Sequence, residues 1–159
     1  MSDAQLAAGV DDLQAAYIRA LAKRDMQAWA ACFDDPGSYI CTVRENEEQG
    51  HGIAIMMDDS LARIRDRVKF VTEVWQGTFE DYYCRHFVQR VLLEHGREGV
   101  LTAESNLLVS YTDSHGRSGV LATGVYVDEI AMSPAGARFR SKRVVLDTTV
   151  TPRYLVYPL

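Results

Sequence analysis

Cys84 and His86, two residues that could bind a metal or move a proton, lie in the stretch YYCRHFVQRV at residues 82–91. Their Cys-x-His spacing is the first half of the ligand pattern of a Rieske iron–sulfur cluster. Such a cluster takes two cysteines and two histidines, and no cysteine follows Cys84. The chain therefore cannot supply the ligands of a Rieske centre. On a β-strand, Cys84 and His86 would simply share one face.

The histidines also lack the spacing of other metal sites. They are His51, His86, His95 and His115, and the last two lie in turns flanked by glycine. A mononuclear iron site needs two histidines and a carboxylate that converge from one side. No H-E-x-x-H motif and no zinc-type spacing is present. We expect no metal site in this chain.

Length and composition indicate one domain over residues 1–159, because 47% hydrophobic residues are enough for a core. The net charge is −5, and the basic residues are scattered, so nucleic acid and membrane are poor partners. No apolar stretch reaches the roughly 20 residues of a membrane span, and the N-terminus is polar. The three cysteines are an odd number, which favours reduced thiols. We expect a soluble, cytoplasmic protein.

The elements that would position these residues begin with helices. Apolar spacing predicts a first helix over 10–24 and a second one over 26–33, capped by Asp25. The stretch SYICTV then predicts a strand, RENEEQGHG a charged loop, and residues 53–67 a third helix.

From residue 68 onward the pattern changes to strands. KFVTEVW at 69–75, the stretches 84–94 and 101–111, SGVLATGVYVDEIAM and ARFRSKRVVLDTTV all read as strands. Gly124 inside one of them predicts a bulge or a sharp bend. Helices followed by long antiparallel strands predict an α+β domain with helices on one face of a curved sheet.

This order resembles the NTF2-like, or cystatin-like, cone, in which three N-terminal helices pack on a strongly curved mixed or antiparallel sheet. Within that fold the chain resembles the small (beta) subunit of aromatic-ring-hydroxylating dioxygenases, most closely those of carboxylated-arene oxygenases. The resemblance rests on five stretches in order: YICTVRENEEQG, RIRDRV, YYCRHFVQRV, GVYVDEI and RVVLDTTVTPRYLVYPL. The loop GHGIAIM and the residues Gln89 and Arg90 depart from the pattern expected of relatives.

The resemblance implies a structural subunit with no catalytic residues and no cofactor of its own. Beta subunits of this kind form a homotrimer that packs with three large (alpha) subunits as α3β3 in the breakdown of aromatic compounds. The alpha subunit carries the Rieske [2Fe-2S] cluster and the mononuclear iron.

Three regions are candidates for subunit contacts. The C-terminal tail is rich in apolar and aromatic residues, which must cover either the chain's own core or a neighbour. The charged loop is either solvated or bound to a partner, and the arginines of the third helix pair within the chain or across subunits. The candidates are Arg44, Glu45, Asn46, Arg65, Arg67, Arg153, Tyr154, Tyr157 and Leu159.

A different reading is a stand-alone NTF2-like dehydratase, isomerase or cyclase. In a cone-shaped pocket, His86, Asp34 and Tyr39 could transfer protons, since histidine titrates near neutrality and burial can tune an aspartate toward it. Nothing in the sequence places the three together. A non-catalytic small-ligand site is also open.

Overall fold

The computed structural model describes residues 1–159 and contains one open sheet of six strands. The strands are β1 (Phe33–Val43), β2 (Met56–Asp58), β3 (Tyr83–His95), β4 (Val100–Thr112), β5 (Ser118–Ser133) and β6 (Gly136–Leu146). Their order across the sheet is β2-β1-β6-β5-β4-β3, so β3 is a long edge strand. The pairing of β1 with β6 is parallel and the others are antiparallel. The sheet is therefore mixed, and the predicted α+β class is confirmed.

The helices are α1 (Asp3–Lys23), α2 (Met26–Ala30), α3 (Arg44–Glu48) and α4 (Leu61–Lys69), and a π-helical turn (Phe70–Val74) continues α4. Helix α1 packs across β3 and β6, whereas α4 packs against β1. Ser2 caps α1 in a capping box with Gln5, and the Asp25 carboxylate accepts from the Ala28 amide at the start of α2, as predicted. None of these helices is long and apolar enough to cross a membrane.

Three sequence predictions between β1 and β3 were wrong. The stretch RENEEQGHG was predicted to be a loop, but Arg44–Glu48 form helix α3. The third helix begins at Leu61 rather than at Ile53, because residues 56–58 pair with β1 and Ser60 caps the helix. The stretch KFVTEVW is helical, not a strand. Its β-branched residues favour a strand, but Ile64, Val68 and Val71 are buried at the four- and three-residue spacing of one helix face.

An aromatic cluster joins the helices to the sheet. Tyr17 of α1 lies edge-on to Phe139 of β6 at 5.5 Å between ring centroids, and Trp29 of α2 lies edge-on to Tyr39 of β1 at 5.5 Å. Both tyrosine rings are fully buried. The core therefore occupies the face of the sheet that the helices cover.

Gly124 allows a close approach between two strands, and the predicted bulge at this position was wrong. Its pairing with Leu107 and Leu146 is regular, while the register shift of β5 against β4 lies near Leu121. A Cβ atom on Gly124 would lie 2.2 Å from the main-chain oxygen of Val145. The position therefore requires glycine for lack of space.

Candidate functional site

His86 lies on the inward face of β3, between Cys84 and Val88, as the period-two pattern predicts. Both ring nitrogens are buried and neither has a hydrogen-bond partner. Burial, helped by the charge of Lys142, lowers the pKa of His86 to about 4. The imidazole is therefore neutral at neutral pH.

The cavity in front of His86 is small. Its volume is about 10 Å³, and its walls include Leu21, Tyr157 and Leu159. That is the space of about one water molecule. A substrate cannot reach His86 through this cavity.

Asp34 and Tyr39 do not share the cavity of His86. Asp34 faces Arg140 at 3.5 Å near the start of β1. Tyr39 is fully buried, its hydroxyl accepts from the main-chain amide of Leu159 at 2.9 Å, and burial raises its pKa well above the ordinary value. The structure does not bring the three residues together in one pocket.

The residues around Cys84 do not fit an iron site. No group of three or more histidine, cysteine, aspartate or glutamate side chains is arranged to hold a metal ion. Burial raises the pKa of the Cys84 thiol to about 11, so the thiolate that would bind a metal is disfavoured.

The end of the chain lies largely on its own core. Leu159 is 2% exposed, and its main-chain oxygen accepts from the Tyr17 hydroxyl at 2.7 Å. Tyr157 packs edge-on to Phe79 at 6.1 Å between centroids. Leu159 therefore offers no surface to a neighbouring subunit.

Arg153 is paired within the chain, whereas Tyr154 is exposed. The Arg153 guanidinium donates to Glu80 at 3.0 Å and to Asp113 at 3.1 Å, so it ties the tail to two loops of the same chain. Tyr154 is 82% exposed. It lines a cleft of about 650 Å³ together with Ile55 and Thr149.

The other predicted contact residues are mostly paired within the chain. Arg44 binds Asp147, Arg67 binds the buried Asp58, and the Asn46 amide donates to the main-chain oxygen of Ile53. Glu45 accepts from Gln49 one helical turn away, at 3.2 Å. By contrast, Arg65 is exposed on α4 and takes part in no ion pair.

The sequence interpretation missed an exposed apolar surface on the outer face of the sheet. We call it the outer patch; its members are Tyr83, Phe87, Val91, Leu108 and Val120. Phe87 of edge strand β3 pairs directly with Leu108 of β4. The sequence signal for this patch is the apolar side chains at positions of neighbouring strands that the two-residue alternation assigns to the outward face.

The sequence interpretation also missed a buried ion pair, formed by the cation Lys142 and the anion Asp128. Both side chains are buried, and Lys142 Nζ lies 3.0 Å and 3.1 Å from the two carboxylate oxygens. The ammonium also lies 3.6 Å from the ring centroid of Tyr126 and 4.2 Å from that of Phe139.

Comparison with known proteins identifies the family of this chain. Residues 17–153 match the model of the family described as "Ring hydroxylating beta subunit". The chain belongs to this family. This beta subunit is 29% identical over 147 residues to the anthranilate 1,2-dioxygenase small subunit of Burkholderia cepacia, and the match covers 92% of this chain and 90% of the relative.

Two further relatives are similar over nearly their whole length. This beta subunit is 25% identical to the terephthalate 1,2-dioxygenase terminal oxygenase component subunit beta 2 of Comamonas sp, over 91% of this chain and 93% of the relative. A crystal structure described as the beta subunit of an aromatic-ring-hydroxylating dioxygenase from Novosphingobium aromaticivorans superposes with a TM-score of 0.87. It is 27% identical, and the match covers 99% of this chain and 100% of that one. The predicted family and the NTF2-like fold are confirmed.

Proposed function

We propose that this chain is a non-catalytic assembly subunit of an aromatic-ring-hydroxylating dioxygenase in the cytoplasm. It forms a homotrimer that packs with three alpha subunits as α3β3. The alpha subunits carry the Rieske cluster and the mononuclear iron, which supply electron transfer and oxygen activation. The family match over residues 17–153 carries this proposal. It is supported by relatives that are named as subunits of larger oxygenases.

The substrate class follows from the same relatives. Anthranilate and terephthalate, in the names of two relatives, are both arenes that bear a carboxylate. We extend that class to the complex in which this chain acts.

The inward face of the sheet supports a role without catalysis. His86 has a pKa of about 4 and faces a cavity of only about 10 Å³, so it is a poor acid or base near neutrality. The chain's contribution to the oxygenase is then made through its surfaces.

A trimer with three-fold symmetry needs two different surfaces on each copy, because its contacts are heterologous. Two of the exposed apolar surfaces of the chain share no residue with each other. One is the outer patch on the edge strand, where Phe87 is 60% exposed, and the other is the rim of the cleft at Tyr154. We assign the contact between copies to these two surfaces, since exposed apolar patches and open strand edges are typical of interaction sites.

Native mass spectrometry of the purified chain tests this assignment. The wild-type chain is expected to be a trimer. Phe87→Glu and Tyr154→Glu each place a charge in a proposed contact. Both variants are therefore expected to be monomers by native mass spectrometry and folded by circular dichroism. Val74→Glu is the matched control, because Val74 is also an exposed apolar residue but lies in the π-helical turn, outside both surfaces. A monomeric wild type, or two trimeric variants, would refute the assigned contact.

A further inference from the structure

A second cavity, of about 280 Å³, lies between helix α1 and strands β3, β4 and β5. Its apolar walls come from Val10 and Ile18 on the helix and from Val88 and Ala103 on the strands. It does not include His86 or any residue of the cleft at Tyr154. Its volume lies near the lower end of the range for small-molecule sites.

The floor of the cavity contains Asp128, which is held by Lys142. Removing both charges from water costs several kcal/mol per ion, and an apolar pair of similar volume is often as stable. Perturbed buried charges next to a cavity are typical of functional sites.

The polar groups of the cavity have unused donors and few unused acceptors. Both Asp128 oxygens accept from Lys142, and Gln14 Oε1 lies 3.5 Å from the same ammonium. This contact orients the amide, so that Gln14 Nε2 is left buried with no partner. Ser105 is 3% exposed, lines the cavity and donates no hydrogen bond within the chain. A fitting ligand therefore presents acceptors.

The positive charge at the cavity is paired with a carboxylate that is partly exposed to solvent. Arg90 lines the cavity and donates to Asp11 through Nε at 2.8 Å and through Nη2 at 3.0 Å. The Asp11 side chain is 58% exposed, so solvent weakens its attraction for Arg90. An anionic ligand would compete with Asp11 for the Arg90 guanidinium, whose side chain is 30% exposed.

We propose that this cavity binds a small monocarboxylate with an apolar body. The carboxylate accepts from Arg90, Gln14 and Ser105, and the body lies against the walls formed by Val10, Ile18, Val88 and Ala103. This site is independent of the proposed subunit contacts, because neither the outer patch nor the cleft contributes a residue to it.

Titration of the full-length chain, followed by the amide signals of Ser105 and Gln14 in NMR, tests the proposal. The probes are cyclohexanecarboxylate, benzoate and phenylacetate at millimolar concentrations, with cyclohexanecarboxamide and cyclohexylamine as uncharged and cationic controls. At least one carboxylate is expected to bind at this site, and the amide and the amine are expected to bind at least tenfold more weakly.

Two surface variants distinguish this site from a general apolar cavity. Arg90→Gln is expected to weaken carboxylate binding by roughly tenfold to a hundredfold, because a charge-assisted hydrogen bond is lost. Asp11→Asn is expected to strengthen it severalfold, because the competing anion is removed. Arg85→Gln is the matched control, since Arg85 is an exposed arginine on the opposite face of the same strand, and it is expected to leave binding unchanged. The proposal is overturned if no carboxylate binds, if the amide binds equally well, or if Arg90→Gln binds as the wild type does.

Discussion

Acid should destabilise this protein through His86 before most of its carboxylates titrate. Burial lowers the pKa of His86 from 6.5 to about 4 in the folded chain. Between these two pH values the unfolded chain binds a proton that the folded chain does not bind. The stability due to neutral His86 is therefore fully present above pH 6.5 and is lost as pH falls toward 4.

The size of the effect follows from linkage. The lowered pKa predicts a loss in the free energy of unfolding of about 2 kcal/mol at pH 5 and about 3 kcal/mol at pH 4, relative to pH 8. Both causes of the shifted pKa of His86, burial and the charge of Lys142, act in the same direction, and no aspartate or glutamate lines its cavity. Lys142 is the one charged residue that contributes to the shift of His86, and it lowers the pKa.

Urea unfolding between pH 8 and pH 5 measures this loss. The comparison is between the wild type and His86→Gln, which removes the titrating ring but keeps a polar side chain. The variant is expected to lose about 2 kcal/mol less than the wild type over this range. His51→Gln is the control, because His51 is exposed, and it should follow the wild type. Equal pH dependence in the wild type and His86→Gln, or an NMR titration of His86 near pH 6.5, would refute the reasoning.

Two further substitutions test the packing of the sheet. Gly124→Ala should destabilise the fold by about 3 kcal/mol in urea unfolding, because its Cβ would overlap the main-chain oxygen of Val145. Its control, Gly52→Ala, has open space around it and should destabilise the fold by less than about 1 kcal/mol. Lys142→Met should lower the free energy of unfolding by about 3–5 kcal/mol, because it leaves the buried Asp128 without its cation. Adding Asp128→Leu to Lys142→Met should recover most of that loss. Equal stability of the single and double variants would contradict this account.

The strands after residue 83 could be predicted because their side chains alternate. In β4, for instance, Leu101, Ala103, Leu107 and Val109 are buried at every second position, and the sequence shows this directly. The region between β1 and β3 could not be predicted in the same way. The stretch KFVTEVW is apolar and β-branched, but it stays helical because Val71 continues the buried helix face of Ile64 and Val68.

The candidate site was predicted less well than the fold, for two physical reasons. Tail residues such as Tyr157 and Leu159 are equally suited to contact a partner or the chain's own core. Tertiary packing alone determines which of the two they contact. Lys142 and Asp128 are charged residues at inward positions of β6 and β5, and charged residues are expected to face solvent. Their strand parity indicated burial, but their pairing became visible only in the structure.

The most direct test of the central claim is native mass spectrometry with metal analysis after co-expression with a large subunit that contains both Cys-x-His and Cys-x-x-His. The account predicts one complex with three copies of each subunit, iron bound to the large subunit, and no iron in this chain when it is purified alone. A large subunit that assembles and reaches full activity without this chain, or iron that stays with this chain alone, would contradict it.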